Sequence, residues 1–442
     1  MDRVFAIRAA GLYLPIAVAF LLVLLRQRPP RLFGAGLVGI LWTLPSLLAV
    51  QLLNLRFEWW SFHASGGFFR GIPVDLYLGW AVLWGLLPVL AFRRLKSCWV
   101  MAIFLGIDLA LMPACRPVVE LGRGWILGEA VAICLVLVPA QLLARWTLED
   151  RRLEARATLQ VLMSAGVFLF WLPEIAFVLR MGRAWEALLI EGSWTTGIEL
   201  QCVFLLGVLG ISAAQEFAQR GGGTPIPYDP PKKLVASGVY RYVANPMQMS
   251  CSAVMVAWGV VMDIPLYWLA AVISILYGLG VANWDEGEDL KTRFGEAWRR
   301  YRRHVRAWRI RFRPWHDPEL PPALLYVAET CGPCSEVRRW FEAHRASGLA
   351  IVAAEDHPTR DLRRVTYDPQ DGSETEEGVR AIARGLEHIH FGWAFAGACL
   401  RLPVVADFVQ LLLDASGLGP RRISRRTCGQ QGARSWVEGT DA

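Results

Sequence analysis

The fold is decided by one stretch that begins GGGTPIPYDPPKKLVASGVYRYVANPM at Gly221 and ends at Arg313. A polar loop studded with prolines comes first, and two apolar runs, at about 247–262 and 264–283, follow it. The stretch then closes with WDEGEDL at Trp284–Leu290 and a basic segment rich in aromatic residues. A plain membrane anchor does not need such a loop or such an acidic segment. We therefore take this stretch as the candidate active site.

The composition is typical of a multi-pass α-helical membrane protein. Of the 442 residues, 54% are hydrophobic and 20 are tryptophan, and the apolar residues come in long blocks. The net charge of +7 comes from arginines beside these blocks, which indicates membrane topology and contact with the lipid bilayer. Nucleic acid is not an expected partner. The nine candidate spans are 9–25, 33–53, 74–92, 98–114, 125–144, 157–179, 194–216, 247–262 and 264–283.

Lysine and arginine in the short loops predict the orientation. The first, third and fifth loops between the spans carry more lysine and arginine than the second, fourth and sixth. These three loops are therefore expected in the cytosol, and the N-terminus is expected outside. The same count puts the loop at 221–247 and the C-terminal domain in the cytosol, in a protein of the cell (inner) membrane. The run 9–25 ends at Arg26 without a small-residue cleavage site, which favours a retained span over a cleaved signal.

Asp108, Glu174 and Glu199 are ionisable residues inside the candidate spans. A carboxylate in a membrane is a functional candidate, and the alternative is a residue near a span end that a neighbouring helix satisfies. The sequence has no HExxH motif and no second histidine four residues from His63, so no metal site is expected.

The loop offers the groups that a charged nucleoside needs. Lys232 and Lys233 carry positive charge, and Asn245 before a proline predicts a helix start, where a ligand carboxylate is favoured. On the far side of the hairpin, Asp285 and Glu286 can accept hydrogen bonds from ribose hydroxyls or an amino group. S-adenosylmethionine has all of these parts.

Two motifs in order, LVxxGxYRYxxNPM from Leu234 and ExxxLxxxFGxxWxxYxxxV from Glu286, name the family. They closely resemble the isoprenylcysteine carboxyl methyltransferase family and its phospholipid and sterol-reductase relatives, over about 200–313. The resemblance implies a membrane-embedded methyltransferase whose cofactor is S-adenosyl-L-methionine. By position, the cofactor contacts would fall on Lys232, Lys233, Leu234, Val235, Tyr240, Arg241, Asn245, Pro246, Met247, Gln248, Asp285 and Glu286.

The sequence departs from the family pattern at several positions. Ala244 stands where many members have arginine, and Gly287 replaces the second glutamate of the usual pair. Ala282 stands where the eukaryotic enzymes bind the prenylcysteine carboxylate with arginine. The implied acceptor is therefore another lipophilic small molecule, or a thiol or carboxyl group. The alternative is a membrane domain that has the fold of these methyltransferases but no catalytic activity.

A basic helix is predicted to close this domain. Phe294, Trp298, Tyr301, Val305 and Trp308 recur at spacings of four and three, which places them on one helical face. Arginines cover the rest of the surface, so we expect an interfacial helix in the headgroup plane. The alternative is a solvated helix packed on the membrane domain.

A second motif, CGPC at Cys331–Cys334, follows a short apolar run and precedes a helical pattern. Cysteine at a helix N-terminus favours thiolate, and CxxC between a strand and a helix indicates redox chemistry. Over about 323–424 the chain is similar to the small DCC-type thioredoxin-like thiol-disulfide oxidoreductases. The resemblance implies redox-active Cys331 and Cys334, with a cytosolic thiol reductant as a partner. A zinc site and a structural remnant are the alternatives.

The sequence therefore predicts about nine membrane spans and a small C-terminal α/β thioredoxin-like domain. The expected function is methyl transfer coupled to a dithiol/disulfide domain. The main rival is a membrane-anchored thiol-disulfide oxidoreductase whose methyltransferase-like part only binds lipid, and a transporter is a third interpretation. The expected segments are N-terminal membrane helices (1–193), the methyltransferase-like domain (194–313), a linker (314–322), the thioredoxin-like domain (323–424) and a disordered tail (425–442).

Overall fold

A computed structural model describes residues 3–25, 31–63, 65–189, 193–226 and 229–426. The side chains of Leu189 and of residues 281–286 lie outside this description. The predicted tail at 425–442 falls outside it after Arg426. The chain divides into two compact units. The first is Met1–Leu200 with Gly222–Pro231 and Met255–Leu269, and the second is Gln201–Gly221 with Lys232–Val254 and Ala270–Ala442.

Long apolar helices make up most of the chain as far as Gln219. Within the described residues, seven helices are long and apolar enough to cross a membrane, which confirms that the first seven predicted segments are long apolar helices. A helix suits such a segment because it satisfies its own backbone hydrogen bonds. The seven are α1 (Arg3–Leu25), α2 (Leu32–Phe57), α3 (Val74–Ala91), α4 (Ser97–Cys115), α5 (Trp125–Glu149), α6 (Leu153–Val178) and α7 (Trp194–Gln219).

Prolines explain the local defects of α5 and α6. Each helix contains a π-helical segment, Ile133–Leu137 in α5 and Gly166–Trp171 in α6, and a proline follows within two residues. Proline has no N–H to donate and its ring clashes with the carbonyl four residues earlier, so the preceding turn is widened. Both helices continue beyond the defect.

Four short strands complete the first unit. Strand β1 (Trp60–Phe62) pairs antiparallel with β4 (Val119–Leu121), and β2 (Phe68–Phe69) pairs antiparallel with β3 (Ile72–Pro73). Aromatic residues of β1 and β2 pack on a core that α2, α3, α4 and α5 supply. The strands were not predicted, because two- and three-residue strands leave no periodic pattern to read.

The eighth and ninth predicted spans are shorter than expected. Helix α8 is Pro246–Val261, and α9 is Leu266–Tyr277, which continues as the π-helical segment Gly278–Ala282. The two are apolar but fall below the length of the first seven. Helix α10 (Asn283–His304) then carries the acidic and basic residues, with a non-helical backbone at Gly295, where φ is 55°.

The basic helix in the structure ends earlier than predicted, and its apolar face makes different contacts from those predicted. It ends at His304, so Trp308 does not lie on it. Tyr301 and Val305 are buried and pack with Trp315, Leu234 and other residues of the same unit. This part of the apolar face is therefore covered by protein, which corrects the expectation that it lies against headgroups.

The C-terminal part of the second unit is a small α/β region. Its sheet has the order β6-β5-β7-β8, with β5 parallel to β6 and antiparallel to β7. The sequence pattern predicts strands at 324–328, 350–354 and 364–367, which β5, β6 and β7 confirm, whereas β8 and α13 were not predicted. The elements are β5 (Ala323–Val327), α11 (Gly332–Ala343), β6 (Leu349–Ala353), β7 (Thr366–Asp368), β8 (Glu376–Glu377), α12 (Val379–Leu386), α13 (Phe391–Leu400) and α14 (Pro403–Leu413).

Candidate functional site

The lysine pair of the candidate site is fixed through its backbone. The N–H groups of Lys232 and Lys233 both donate to the carbonyl oxygen of Gly221, at 2.6 and 3.1 Å. Both side chains are exposed. The chain thus returns to the end of α7 and presents two positive charges to solvent, where an anionic group can reach them.

The next predicted contacts are largely used for packing. Val235 and Tyr240 are buried with Leu209 and Ala213 of α7, while Leu234 belongs to the cluster around Tyr301. The hydroxyl of Tyr301 donates to the carbonyl oxygen of Tyr240 at 2.8 Å. These side chains hold the loop against α7 and α10, and whether they also contact a cofactor stays a prediction.

Arg241 is buried and only partly satisfied. Its Nη1 donates to the carbonyl oxygen of Trp315 at 3.3 Å, and that residue's N–H donates back to the carbonyl oxygen of Arg241 at 3.0 Å. Its Nε has no hydrogen-bond partner among the described residues. A buried guanidinium with a free N–H is suited to a carboxylate or carbonyl acceptor.

The start of α8 forms a second predicted part of the site. The N–H of Asn245 donates to the carbonyl oxygen of Ala307, at 3.2 Å, and its Nδ2 donates to Gln248 Oε1 at 3.2 Å. Pro246 is buried and Met247 is half-buried. The turn is therefore tied to the segment that follows α10, as a site built from both halves of the motif requires.

Gly278 permits the closest approach between these halves. A Cβ atom at this position would lie 2.5 Å from Trp308 Cζ2 and 2.9 Å from Gln248 Oε1. The indole Nε1 of Trp308 is buried without a hydrogen-bond partner among the described residues. A glycine here leaves room beside the free N–H donor of Trp308, seven residues before Asp285, the first carboxylate of the predicted site.

Asp285 and Glu286 lie in the first turn of α10. Their side chains are outside the description, so their orientation stays a prediction. The unpartnered indole N–H of Trp308 and the exposed lysines suit an anionic group such as the carboxylate of S-adenosylmethionine. The Arg241 guanidinium lies close enough to His316, Tyr367 and His388 to act on their charges, and whether it contacts a cofactor stays a prediction.

The cysteine pair lies where the sequence predicts it. Cys331 follows β5 and precedes the first turn of α11, and its carbonyl oxygen accepts from the N–H of Ser335 at 3.0 Å. Both thiols are free and half-buried. Burial raises the pKa of Cys334 to about 12, and the neighbouring Cys331 sulfur and the Glu355 carboxylate act in the same direction. The raised pKa favours the protonated thiol at Cys334.

Glu355 is a residue of this site that sequence reasoning missed. It is 5% exposed, and its carboxylate accepts from the N–H groups of Glu329 and Thr330 at 3.1 to 3.2 Å and from Thr330 Oγ1 at 3.0 Å. Burial alone would raise the pKa of Glu355, but these hydrogen bonds lower it overall. Glu355 thus holds a negative charge behind the cysteine pair and fixes the segment before Cys331.

A buried ionic network lies beside the loop. Glu216 of α7 accepts from Arg384 Nη1 of α12 at 2.6 Å and from Arg401 Nη1 at 3.4 Å. Arg401 also pairs with Glu387 Oε1 at 2.7 Å, and the hydroxyl of Tyr242 donates to the carbonyl oxygen of Glu387 at 2.9 Å. The chain from Lys232 to Val254 and the CxxC region therefore belong to one packed unit. The sequence had no signal for this, because the partners are 168 residues apart.

No group of three or more metal-ligating His, Cys, Asp or Glu side chains occurs within the described ranges. Of the span carboxylates, Glu174 is paired, since it accepts from Arg70 Nε at 2.5 Å and Trp185 Nε1 at 2.6 Å. Glu174 therefore fits the alternative interpretation, in which neighbouring residues satisfy the carboxylate, rather than that of a functional residue.

Comparison with family models, curated proteins and solved structures gives no match for this chain.

Proposed function

We propose that this chain is a multi-pass membrane enzyme whose second unit carries a dithiol/disulfide centre at Cys331 and Cys334. The observation that supports this best is the position of the pair at the start of α11, within a parallel β5–α11–β6 unit. A CxxC in this position is the signature of a thioredoxin-like redox protein, because the helix N-terminus stabilises a thiolate on the first cysteine.

The chemistry follows from the position of Cys331 at the N-terminus of α11 and from the raised pKa of Cys334. The Cys331 thiolate attacks a disulfide of the partner and forms a mixed disulfide, releasing one partner thiolate, which takes up a proton. Cys334 then loses its proton and attacks the Cys331 sulfur, which releases the second partner thiolate. The partner gains two electrons and becomes a dithiol, and the cysteine pair becomes a disulfide. A cytosolic thiol reductant returns the pair to the dithiol by the reverse exchange.

Trapping tests this assignment. In the full-length protein, Cys334→Ser should accumulate a mixed disulfide through Cys331, because the resolving thiol is gone. Cys331→Ser should neither trap the partner nor reduce a model disulfide. Cys399→Ser is the matched control, since Cys399 is another half-buried cysteine of the same unit. Wild-type reduction rates in Cys331→Ser would refute the proposal.

Methyl transfer from S-adenosylmethionine to a lipophilic, thiol or carboxyl acceptor is the second proposed activity of this unit. The close approach of Gly278, Gln248 and Trp308 favours it, because it joins the two halves of the methyltransferase-like motif beside unpartnered N–H donors. Arg241, Trp308 and the lysines would hold the cofactor carboxylate, and Asp285 and Glu286 would accept from its hydroxyl or amino groups. When bound, the sulfonium supplies an activated methyl group, so the protein has mainly to position the acceptor.

Binding of labelled S-adenosylmethionine to membranes that hold the protein tests this second activity. Glu286→Ala should abolish binding, while Glu288→Ala should retain it, because Glu288 is an exposed residue of the same helix that pairs with Lys291 at 3.4 Å. Transfer of the labelled methyl group into lipid and small-thiol extracts would identify the acceptor class. Equal binding by wild type and Glu286→Ala would favour the rival, a membrane-anchored thiol-disulfide oxidoreductase.

We also propose that the N-terminus is outside the cell and the cysteine pair is cytosolic. Membrane-impermeant thiol reagents should therefore label Cys331 only after the cells are opened. Labelling of Cys331 in intact cells would show that the orientation is opposite to the one proposed.

A further inference from the structure

Two buried carboxyl groups line one cavity in the first unit. Asp108 of α4 and Glu129 of α5 are 6% and 5% exposed. Both line a cavity of about 40 Å³, together with Gln51 of α2, Trp84 of α3 and the aromatic residues of β1. The cavity therefore brings together two acidic side chains from different candidate spans.

The polar atoms that line this cavity lack partners. Within the described residues, Asp108 Oδ2, Glu129 Oε1 and Trp84 Nε1 are buried and have no hydrogen-bond partner. A buried acceptor or donor left unpaired costs about 1–3 kcal/mol, and more if it is charged. Glu129 and Trp84 are the polar groups that act on the Asp108 carboxyl, so the three groups face one another. A cavity of this size has room for a few waters.

No arginine or lysine of the described ranges lines the cavity. Three charged groups near the surrounding elements are paired elsewhere, Arg70 with Glu174, Arg145 with Glu149, and His63 with Glu120. Two ionised carboxylates would therefore share a low-dielectric cavity without a cation. Such a pair avoids this cost by keeping a proton, as two carboxylates at one site do.

We propose that Asp108 and Glu129 form a proton-binding site, in which the two carboxyl groups share one proton and Trp84 lines the site as a third polar group. The π-helical segment Ile133–Leu137 begins four residues after Glu129, and such segments are frequent at functional sites. A metal cation is the weaker occupant, because two carboxyl side chains supply fewer oxygen ligands than hard cations take. This site does not depend on the chemistry proposed for the second unit.

Infrared difference spectroscopy of the full-length protein in lipid vesicles tests the site. Wild type should show the carbonyl band of one protonated carboxylic acid per chain near neutral pH, with the isotope shift expected in heavy water. The band should disappear in the Asp108→Asn/Glu129→Gln double variant. Glu174→Gln is the matched control, because the Glu174 carboxylate is buried but paired with Arg70.

Two results would overturn the proposal. One is a wild-type spectrum without a protonated carboxyl band at neutral pH, which would mean that both groups are ionised. The other is loss of the band when sodium or potassium chloride replaces choline chloride at equal ionic strength, which would assign the cavity to a metal cation. Both measurements use wild type, so they decide the question even if the double variant does not fold.

Discussion

The carboxylate of Glu216 lies 2.6 Å from Arg384 Nη1, and the side chains of both residues are almost completely excluded from solvent. Glu216 belongs to the last turns of α7, and Arg384 belongs to α12 of the α/β region. The end of an apolar helix is thus joined to the CxxC region by a buried ion pair. An ion pair of this kind tolerates loss of one partner poorly, because the other charge stays buried without compensation.

We expect Arg384→Met to destabilise the protein by about 3–5 kcal/mol, the usual result of breaking a buried pair. Arg380→Met is the matched control on the same helix. Arg380 pairs with Asp407 at 2.7 Å but is half-exposed, so its loss should change the stability by about 1 kcal/mol or less. Chemical denaturation of the detergent-solubilised protein measures both. The Glu216→Leu/Arg384→Leu variant should lose less stability than the sum of its single variants, and additive losses would contradict this coupling.

Glu355 should set the reactivity of Cys334. The negative charge of Glu355 contributes to the raised pKa of Cys334, so Glu355→Gln should lower that pKa and allow alkylation at lower pH. The measurement is the pH dependence of Cys334 alkylation in the reduced full-length protein, followed by mass spectrometry. Glu342→Gln should leave the profile unchanged, because Glu342 is an exposed residue that pairs with Arg338. An unchanged profile in Glu355→Gln would remove Glu355 from the redox site.

Because His388 is buried in its neutral form, we expect the folded protein to lose stability in mild acid. Burial, with the charge of Arg241 adding to it, holds the pKa of His388 well below 6.5. Its Nδ1 lies 2.9 Å from the carbonyl oxygen of Ser347, and its Nε2 lies 3.1 Å from the hydroxyl of Tyr367. The unfolded chain binds a proton below about pH 6.5 and the folded chain does not. The stabilising contribution is therefore complete above that pH and is lost as the pH falls.

Denaturation midpoints between about pH 7.5 and pH 5 measure this effect, with a slope of at most about 1.4 kcal/mol per pH unit for one histidine. His388→Gln should reduce the slope, although His316 and His357, whose pKa values are also lowered by burial, would keep part of it. His344→Gln replaces an exposed histidine and should leave the slope as it is. An unchanged slope in His388→Gln would show that His388 is accessible to protons in the folded state.

Gly278 and Gly280 give a matched test of the proposed cofactor site. A Cβ at Gly278 would meet Trp308 and Gln248, so Gly278→Ala should displace these side chains, at a cost of about 1–3 kcal/mol, and weaken cofactor binding. A Cβ at Gly280, two residues along the same segment, meets nothing within 4 Å. Gly280→Ala should therefore bind the labelled cofactor like wild type. Equal binding by both variants would separate this contact from the cofactor site.

The sequence predicted the elements that depend on local pattern. The seven long helices follow from apolar runs, and β5 and α11 follow from a short apolar run, a CGPC motif and a helical period. Length was harder, because hydropathy alone does not say where α8 and α9 end. Proline and glycine near their ends leave them at 16 and 12 residues.

Contacts between distant residues were not predictable from the pattern. Tyr301 and Val305 have the spacing of an interfacial helix face, yet they pack on Leu234 and Trp315. The helical spacing of apolar residues is the same whether the face contacts protein or lipid. Glu129 and Glu216 lie in apolar runs without a motif, and their roles depend on Asp108 and Arg384, which come from other helices. The predicted cofactor residues belong to one unit, but their arrangement around a ligand depends on side chains at 281–286 that the structure does not describe.

The ion pairs of Glu216 also bear on whether the CxxC region can exist by itself. A fragment cut at the linker 314–322 would keep Arg384 and Arg401 but lose Glu216, Ser212 and Tyr242, the partners that α7 and the loop supply. Its arginines would face solvent across a surface that is apolar around Phe391. The region is therefore not an autonomous module that could be moved to another protein or expressed alone without redesign of this surface.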